Sequence, residues 1–410
     1  MNEGTIVLKF GGSSLETIEK MQAIALKIAK TKTIYQNVIV VVSAMGKTTN
    51  MLLNLANSAS VNPDKREIDM LLSTGEQVSS ALFSMILKDK GIDAIALNGY
   101  QAGIVTEGLH TKNKIKDIDL SKIDKYLNQN KVVVVTGFQG VNSDGDITTL
   151  GRGGSDTTAV AIAAKKGCRC EIYTDVSGIY RVNPSMVKTA KKLKTITYEE
   201  MSELAFLGAK VMEPRAVEIG QKYHVPIYVA NAHIEEEGTL IKEGGNVLEQ
   251  RSITGISVID QVALVTINNY PRTSESVANL FMQMADKEVN IDMISQTLLS
   301  DDLINISFTC DKEDLRMVYD VVQGLKVNYP MFDVIQDTSV SKLSVVGLGM
   351  RSQSGVAAKI FKLFADHSIP FKLVTTSEIS ISYTIPKDVT EKTVTLLAET
   401  FELGEKHDHI

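Results

Sequence analysis

The tail of this 410-residue chain repeats itself, and no other feature limits its fold as strongly. SESVANLFMQMADKEVNIDMISQT, from Ser274, matches SGVAAKIFKLFADHSIPFKLVTTS, from Ser354, in apolar pattern: Phe281 with Phe361, Ala285 with Ala365, Asp286 with Asp366 and Ile291 with Phe371. A strand-like run precedes each copy (VALVTIN, KLSVVGL), and another follows it (INISFT, ISISYTI) before a further helical stretch. Each unit therefore reads β-α-β-β-α, and a small helix-backed sheet wants one more strand. The first copy has it in MFDVIQD, whereas only FELGEKHDHI follows the second. ITGISVI, unclaimed just before the first copy, is expected to supply the missing strand. One repeat is then inserted within the other, and the two fold together.

Up to about residue 231 strand-like runs (TIVLKF, NVIVVVS, IDAIAL, VVVVTG, EIYTD, VPIYVAN) alternate with helical ones. Continuous aliphatic strands between helices predict a mostly parallel sheet covered on both faces, an α/β layer fold. EEEGTLIKEGGNVLEQRS, from Glu235, is polar and lacks periodicity, and so marks the boundary. The expected domains are 1–245, then 262–337, with 252–261 plus 338–410 forming the third. A hydrophobic set of 44% with 22% charged residues is globular usage, and a net charge of −6 gives no basic footprint for nucleic acid or an anionic membrane. VIVVV and VVVV are too short to span a bilayer, so a soluble cytoplasmic protein acting on small molecules is expected. Cys168, Cys170 and Cys310 suit ordinary packing, and no metal site is expected.

KFGGSSL places Lys9 before adjacent glycines, Gly11 and Gly12, where a strand passes into a helix. Such glycines let backbone N–H groups approach an anion and Lys9 could touch a phosphate, although a plain glycine turn with a serine cap reads the same way. In VVSAMGKTTNML, Ser43 and Thr49 could face a ligand at the carboxyl ends of the strands, or simply cap a helix. Glu76 sits within the apolar helical run LLSTGEQVSSALF; it is either solvated or a grip for an ammonium group. TLGRGGSDTTA follows a polar hairpin and opens an alanine-rich helix. The guanidinium of Arg152 forks onto carboxylates, so this loop suits an acidic substrate, with Ser155 beside it and Asp156 either capping the helix or binding a cation. Thr174, Asp175 and Tyr180, in YTDVSGIY, could line a nucleotide pocket, and Lys210 could add a second cation.

Taken together in this order, KFGGSS, VVSAMGKTTN, STGE, TGFQG, TTLGRGGSDTTA, YTDVSGIY and LGAKVMEP resemble the aspartokinases, and the repeated tail resembles their paired ACT domains. The resemblance covers essentially the whole chain and implies the monofunctional form: an amino acid kinase fold followed by two ferredoxin-like βαββαβ ACT domains. It implies transfer of the ATP γ-phosphate to the side-chain carboxylate of L-aspartate, giving 4-phospho-L-aspartate for lysine, threonine and methionine synthesis, with Mg²⁺ carried by the nucleotide. By motif position it assigns Lys9, Gly11, Gly12, Ser13, Thr174, Asp175, Tyr180 and Lys210 to ATP. It assigns Ser43, Thr49, Glu76, Phe138, Arg152 and Ser155 to aspartate, with Lys9, Asp156 and Lys210 serving catalysis. Lysine or threonine would bind the ACT pair around Met293, Ile294, Gln296, Met350, Ser352 and Ser354. A homodimer through these domains, or a tetramer, is the expected assembly. The chain departs from the family pattern at Asn183 and Ser185, where aspartate and arginine are common, and at Glu213, where histidine is frequent.

Overall fold

The computed structural model describes residues 3–209, 211–244 and 252–405. They divide into two compact units: Met1–Ile179, Lys192–Ala205 and Lys210–Asn246 in one, and Tyr180–Lys191, Phe206–Ala209 and Val247–Ile410 in the other. Residues 245–251, which carry the boundary expected from the sequence, lie outside the described residues.

The first unit is built on an eight-stranded sheet in the order Thr195–Thr197, Thr239–Lys242, Ile227–Asn231, Arg169–Thr174, Thr5–Phe10, Asn37–Val42, Val132–Thr136, Ala94–Leu97. Every pairing is parallel except Ile227–Asn231 with Thr239–Lys242. Helices Ile18–Ile34 and Lys65–Asp89 share one core with Ile6, Leu8, Phe10, Val38, Val40, Val42, Val132 and Val134. The alternate residues Val7, Ile39, Val41, Val133 and Val135 are equally buried, which accounts for aliphatic runs without a polar alternation. A second sheet, of strands Lys114–Ile118, Ile104–Glu107, Gln139–Val141 and Ile147–Thr149, goes beyond the sequence reading; its strands are short and mixed in polarity. Because the Thr5–Phe10, Asn37–Val42, Val132–Thr136 and Arg169–Thr174 strands run parallel, Gly11, Ser43, Gly137 and Asp175 all leave the sheet at one edge.

In the second unit each repeat forms a four-stranded antiparallel sheet backed by helices. The first has the order Ile291–Leu298, Leu303–Asp311, Val262–Pro271, Asp333–Asp337, and the second Gly255–Ile259, Val340–Val346, Ser380–Pro386, Leu373–Thr376. Gly255–Ile259, which precedes the first repeat in the chain, thus pairs within the second. Leu280 and Met284 of one copy, and Ile360 and Phe364 of the other, are core residues at matching positions. Two stretches depart from a boundary near residue 245, Tyr180–Lys191 and Phe206–Ala209. The chain leaves the first unit after Ile179 and returns to it at Lys192, and between them Val182 and Val187 join the core of the second sheet. Ile256 donates its backbone N–H to the Arg181 carbonyl at 2.7 Å, so backbone pairing holds this segment in place as well.

Candidate active site

The long helix Lys65–Asp89 starts at Asp64, whose carboxylate accepts the backbone N–H groups of Arg66 and Glu67. Its inward face is polar, with Ser73, Glu76, Ser79 and Ser80 all buried. Buried polar groups mostly find partners, and here most of those on this face hold the neighbouring segments. Glu76 Oε1 accepts from Ala44 N at 3.1 Å, Ser79 Oγ donates to the Ser43 carbonyl at 2.8 Å, and the Ser73 carbonyl accepts from Gln139 Nε2 at 2.8 Å.

A cavity of about 240 Å³ opens where these segments meet, lined by Lys9, Gly12, Ser43, Ala44, Gly46, Thr49, Glu76, Phe138 and the run Gly151 to Asp156. Its polarity is concentrated in buried charge. Lys9 Nζ and Asp156 Oδ1 form an ion pair at 2.6 Å, and Asp156 lies in the first turn of the helix Gly154–Lys166. Removing one member of such a buried pair strands the other, at a cost of about 3 to 5 kcal/mol. Glu76 is 3% exposed, and its Oε2 is buried with no hydrogen-bond partner. Desolvation pushes this carboxyl up to about 8 from its ordinary 4.5, against the opposing pull of the Ala44 N–H. A buried carboxylate oxygen facing a cavity is a natural receptor for a cation, which would lower that pKa again.

Glycine shapes the walls at two positions. A Cβ on Gly12 would stand 2.7 Å from the Ala44 carbonyl, so the first turn passes the second strand end too closely for any side chain. Gly153, at φ +66°, caps the Gly154–Lys166 helix, and a Cβ there would meet Glu213 Oε2 at 2.3 Å. Phe138 is not glycine yet holds φ 71°, a left-handed conformation stabilised from both sides: Thr158 Oγ1 accepts its N–H at 3.1 Å, and Leu150 N donates to its carbonyl at 2.9 Å.

Of the residues picked from the sequence, Lys9, Gly12, Ser43, Thr49, Glu76, Phe138, Arg152, Ser155 and Asp156 come together in this one cavity. Gly11 is not among the lining residues but lies next to Lys9 Nζ, which is 3.5 Å from where a Cβ would stand, an ordinary contact distance. Ser13, Thr174 and Asp175 do not line it; Thr174 Oγ1 donates to Asp175 Oδ1 at 3.0 Å, and Asn231 Nδ2 donates to the Asp175 carbonyl at 2.8 Å. Tyr180 belongs to the second unit, and Lys210 lies outside the described residues. In that second unit Met293 is buried at φ 49°, while Ile294, Gln296, Ser352 and Ser354 are exposed and Met350 packs on the edge of its repeat's core.

The motifs also left residues unassigned. Arg215 donates to the Leu150 carbonyl, and to the Asn113 carbonyl at 3.2 Å, and so holds the foot of the Arg152 loop. Glu213, two residues earlier, is half-buried; desolvation raises its pKa, with Arg215 opposing. The signal available for both was PRAVE, a proline-started helix immediately after VME. Among the described residues no group of three or more His, Cys, Asp or Glu side chains is arranged to hold a metal ion, and no helix is long and apolar enough to cross a membrane.

A charge-lined cavity at the strand ends of a parallel sheet, ahead of two helix-backed repeats in the chain, has the architecture of an amino acid kinase with paired ACT domains, and family comparisons agree. Residues 4–231 match the amino acid kinase family and residues 343–401 match an ACT domain. Aspartokinase of Geobacillus stearothermophilus is 46% identical over 404 residues, covering 98% of each chain. E. coli aspartokinase III in complex with aspartate and ADP, in its R-state, has the same fold at a TM-score of 0.82 and 22% identity, over 97% of this chain and 99% of that one. The same enzyme with lysine and aspartate, in its T-state, aligns at 0.76 and 21% identity, over 97% and 99%. The chain belongs to the aspartokinase family, ATP-dependent phosphotransferases with a carboxyl acceptor.

Proposed function

We propose that this chain transfers the γ-phosphoryl group of ATP to the side-chain carboxylate of L-aspartate, forming 4-phospho-L-aspartate. The observation that carries this reading is the pairing, in one cavity, of the Lys9–Asp156 ion pair with a buried Glu76 oxygen that lacks a partner. An amino acid with a second carboxylate matches that set: Glu76 takes its ammonium, the Arg152 fork takes a carboxylate, and Ser43, Thr49, Phe138 and Ser155 enclose it. The acceptor is already a nucleophile, so the reaction calls for alignment and charge neutralisation rather than a general base. Lys9 would neutralise the transferring group while Asp156 keeps its ammonium oriented. Gly11, Gly12 and Ser13 would meet the phosphates, and Thr174, Asp175, Tyr180 and Lys210 would serve the nucleotide. Magnesium enters as part of the nucleotide substrate.

The ACT pair extends the reading to feedback. Lysine, threonine or both would bind near Met293, Ile294, Gln296, Met350, Ser352 and Ser354, in a cytoplasmic homodimer or tetramer serving lysine, threonine and methionine synthesis. The lysine-bound aspartokinase III noted above supports this by analogy of fold. The proposed domain limits are 1–245 for the kinase, 262–337 for the first ACT domain, and 252–261 plus 338–410 for the second. The test is ATP-dependent and Mg²⁺-dependent phosphorylation of L-aspartate, with the acyl phosphate trapped by hydroxylamine and lysine and threonine added singly and together. Aspartate-dependent hydroxamate is expected. Turnover with glutamate or another acidic acceptor, and none with aspartate, would reject the assignment.

A further inference from the structure

We propose that Asp69 is a positioning residue that sets the Arg152 loop for the acceptor, an inference that rests on the aspartate reading above. Asp69 lies on the long helix Lys65–Asp89, on the same inward face as Ser73 and Glu76, spaced i, i+4 and i+7 along it. It is fully buried and does not line the cavity. Both of its oxygens are engaged. Thr111 N donates to Oδ1 at 3.1 Å and to Oδ2 at 3.0 Å, His110 Nδ1 lies 2.7 Å from Oδ2, and Thr149 Oγ1 donates to Oδ1.

Thr149 ends its strand and stands three residues before Arg152. Its carbonyl accepts from Asn113 N at 3.0 Å, so one buried carboxylate ties the start of the loop to the His110–Asn113 segment. That segment in turn shapes the loop. Thr111 is held at φ 69°, and its carbonyl lies 3.1 Å from where a Cβ on Gly151 would stand, while Gly151 itself turns at φ +78°. A β-branched residue in the left-handed region persists only where its surroundings over-determine it, and the two contacts from Thr111 N to Asp69 supply that constraint. The long helix therefore grips three walls of the cavity from one face: Asp69 the Arg152 loop, Ser73 the Phe138 segment through Gln139, and Glu76 the Ser43 segment through Ala44.

The test uses Asp69→Asn and Thr149→Val, both close to isosteric, and their double variant, each as the full chain. Each single change is expected to raise the aspartate KM about tenfold with the ATP KM moved less than about twofold, a split that general destabilisation would not give. The double variant should be no worse than the worse single, because Thr149→Val removes only a contact that Asp69→Asn already weakens. Hydrogen exchange of the amides from Thr149 to Gly154 should quicken in all three, while that of Val38 to Val42 does not. Equal changes in both KM values, additive effects, or unchanged exchange in the loop would overturn the proposal. If the unsubstituted protein does not phosphorylate aspartate while the loop amides still quicken in the variants, the acceptor assignment falls and the positioning role stands.

Discussion

Around the cavity the ion pair and Glu76 are ionisable and buried, with Lys9 8% exposed, Glu76 3% and Asp156 7%, while Arg152 alone of the charged lining is exposed. In the paired repeats the cores are aliphatic and aromatic, and most residues expected to meet an effector lie at the surface, with Ile294 53% exposed and Gln296, Ser352 and Ser354 exposed, while Met293 is buried. In the first region the cost of desolvating charge is met by fixed partners such as the 2.6 Å Lys9–Asp156 pair, so its geometry is set before any substrate arrives. In the second the residues expected to meet an effector are uncharged, although buried Lys342 pairs with Asp292 beside Met293, and a ligand there would act by shifting an equilibrium, a coupling typically worth about 1 to 3 kcal/mol. Single atoms should therefore count for much in the cavity and for little in the repeats.

The most direct way to break this contrast is Lys9→Ala, which strands Asp156 and, on the proposed reading, would remove the cation at the transferring group. A fall in kcat of about 10²- to 10³-fold is expected, measured by ADP release at saturating substrates. Arg152→Ala comes next, raising the aspartate KM by about one to two orders of magnitude while the ATP KM stays put, as for loss of a charge-assisted bond to one substrate. Gln296→Ala, at the exposed segment of the first repeat, should move the lysine or threonine inhibition constant by about fivefold or more and leave kcat unchanged. A change at Gln296 as damaging to turnover as one at Lys9 would end the distinction between the two regions.

Glu76→Gln gives the smallest effect and the sharpest sign. The folded protein holds this carboxyl near 8 against 4.5 ordinarily, so it binds a proton that the unfolded chain gives up. Stability from this group is full below about pH 4.5 and is lost as pH rises towards 8. The glutamine variant should therefore match the parent in thermal unfolding near pH 4.5 and exceed it by a few degrees above pH 8, even though its affinity for aspartate is impaired.

Much of the cavity was legible because each of its motifs is local: a strand end, a glycine and a polar residue within a few positions, as in KFGGSS and TLGRGGSD. The repeat was legible for the same reason, since apolar periodicity over one helix and its flanking strands survives divergence. What stayed hidden depends on distance along the chain. Asp69 meets His110, Thr111 and Thr149 across separations of 41, 42 and 80 residues, and in the sequence it is one more acid near a helix start. The segment Tyr180–Lys191 was hidden differently: Val182 and Val187 have no periodic neighbours, and only packing shows that they complete the core of the second repeat. The same packing places Tyr180 in the second unit although its motif runs on from the Arg169–Thr174 strand.

On the proposed reading, Glu76 is buried and protonated in the free site and becomes a carboxylate when it receives the acceptor's ammonium. The measurement that tests it most directly is the aspartate KM of the unsubstituted enzyme between pH 6 and 8.5, at saturating MgATP. Because the free site must give up a proton to bind, KM should fall by up to about tenfold per unit from pH 6 and level off near 8, where the free carboxyl titrates. A KM that is flat across this range, or that rises with pH, would contradict the role given to Glu76 and with it the placement of aspartate in the cavity.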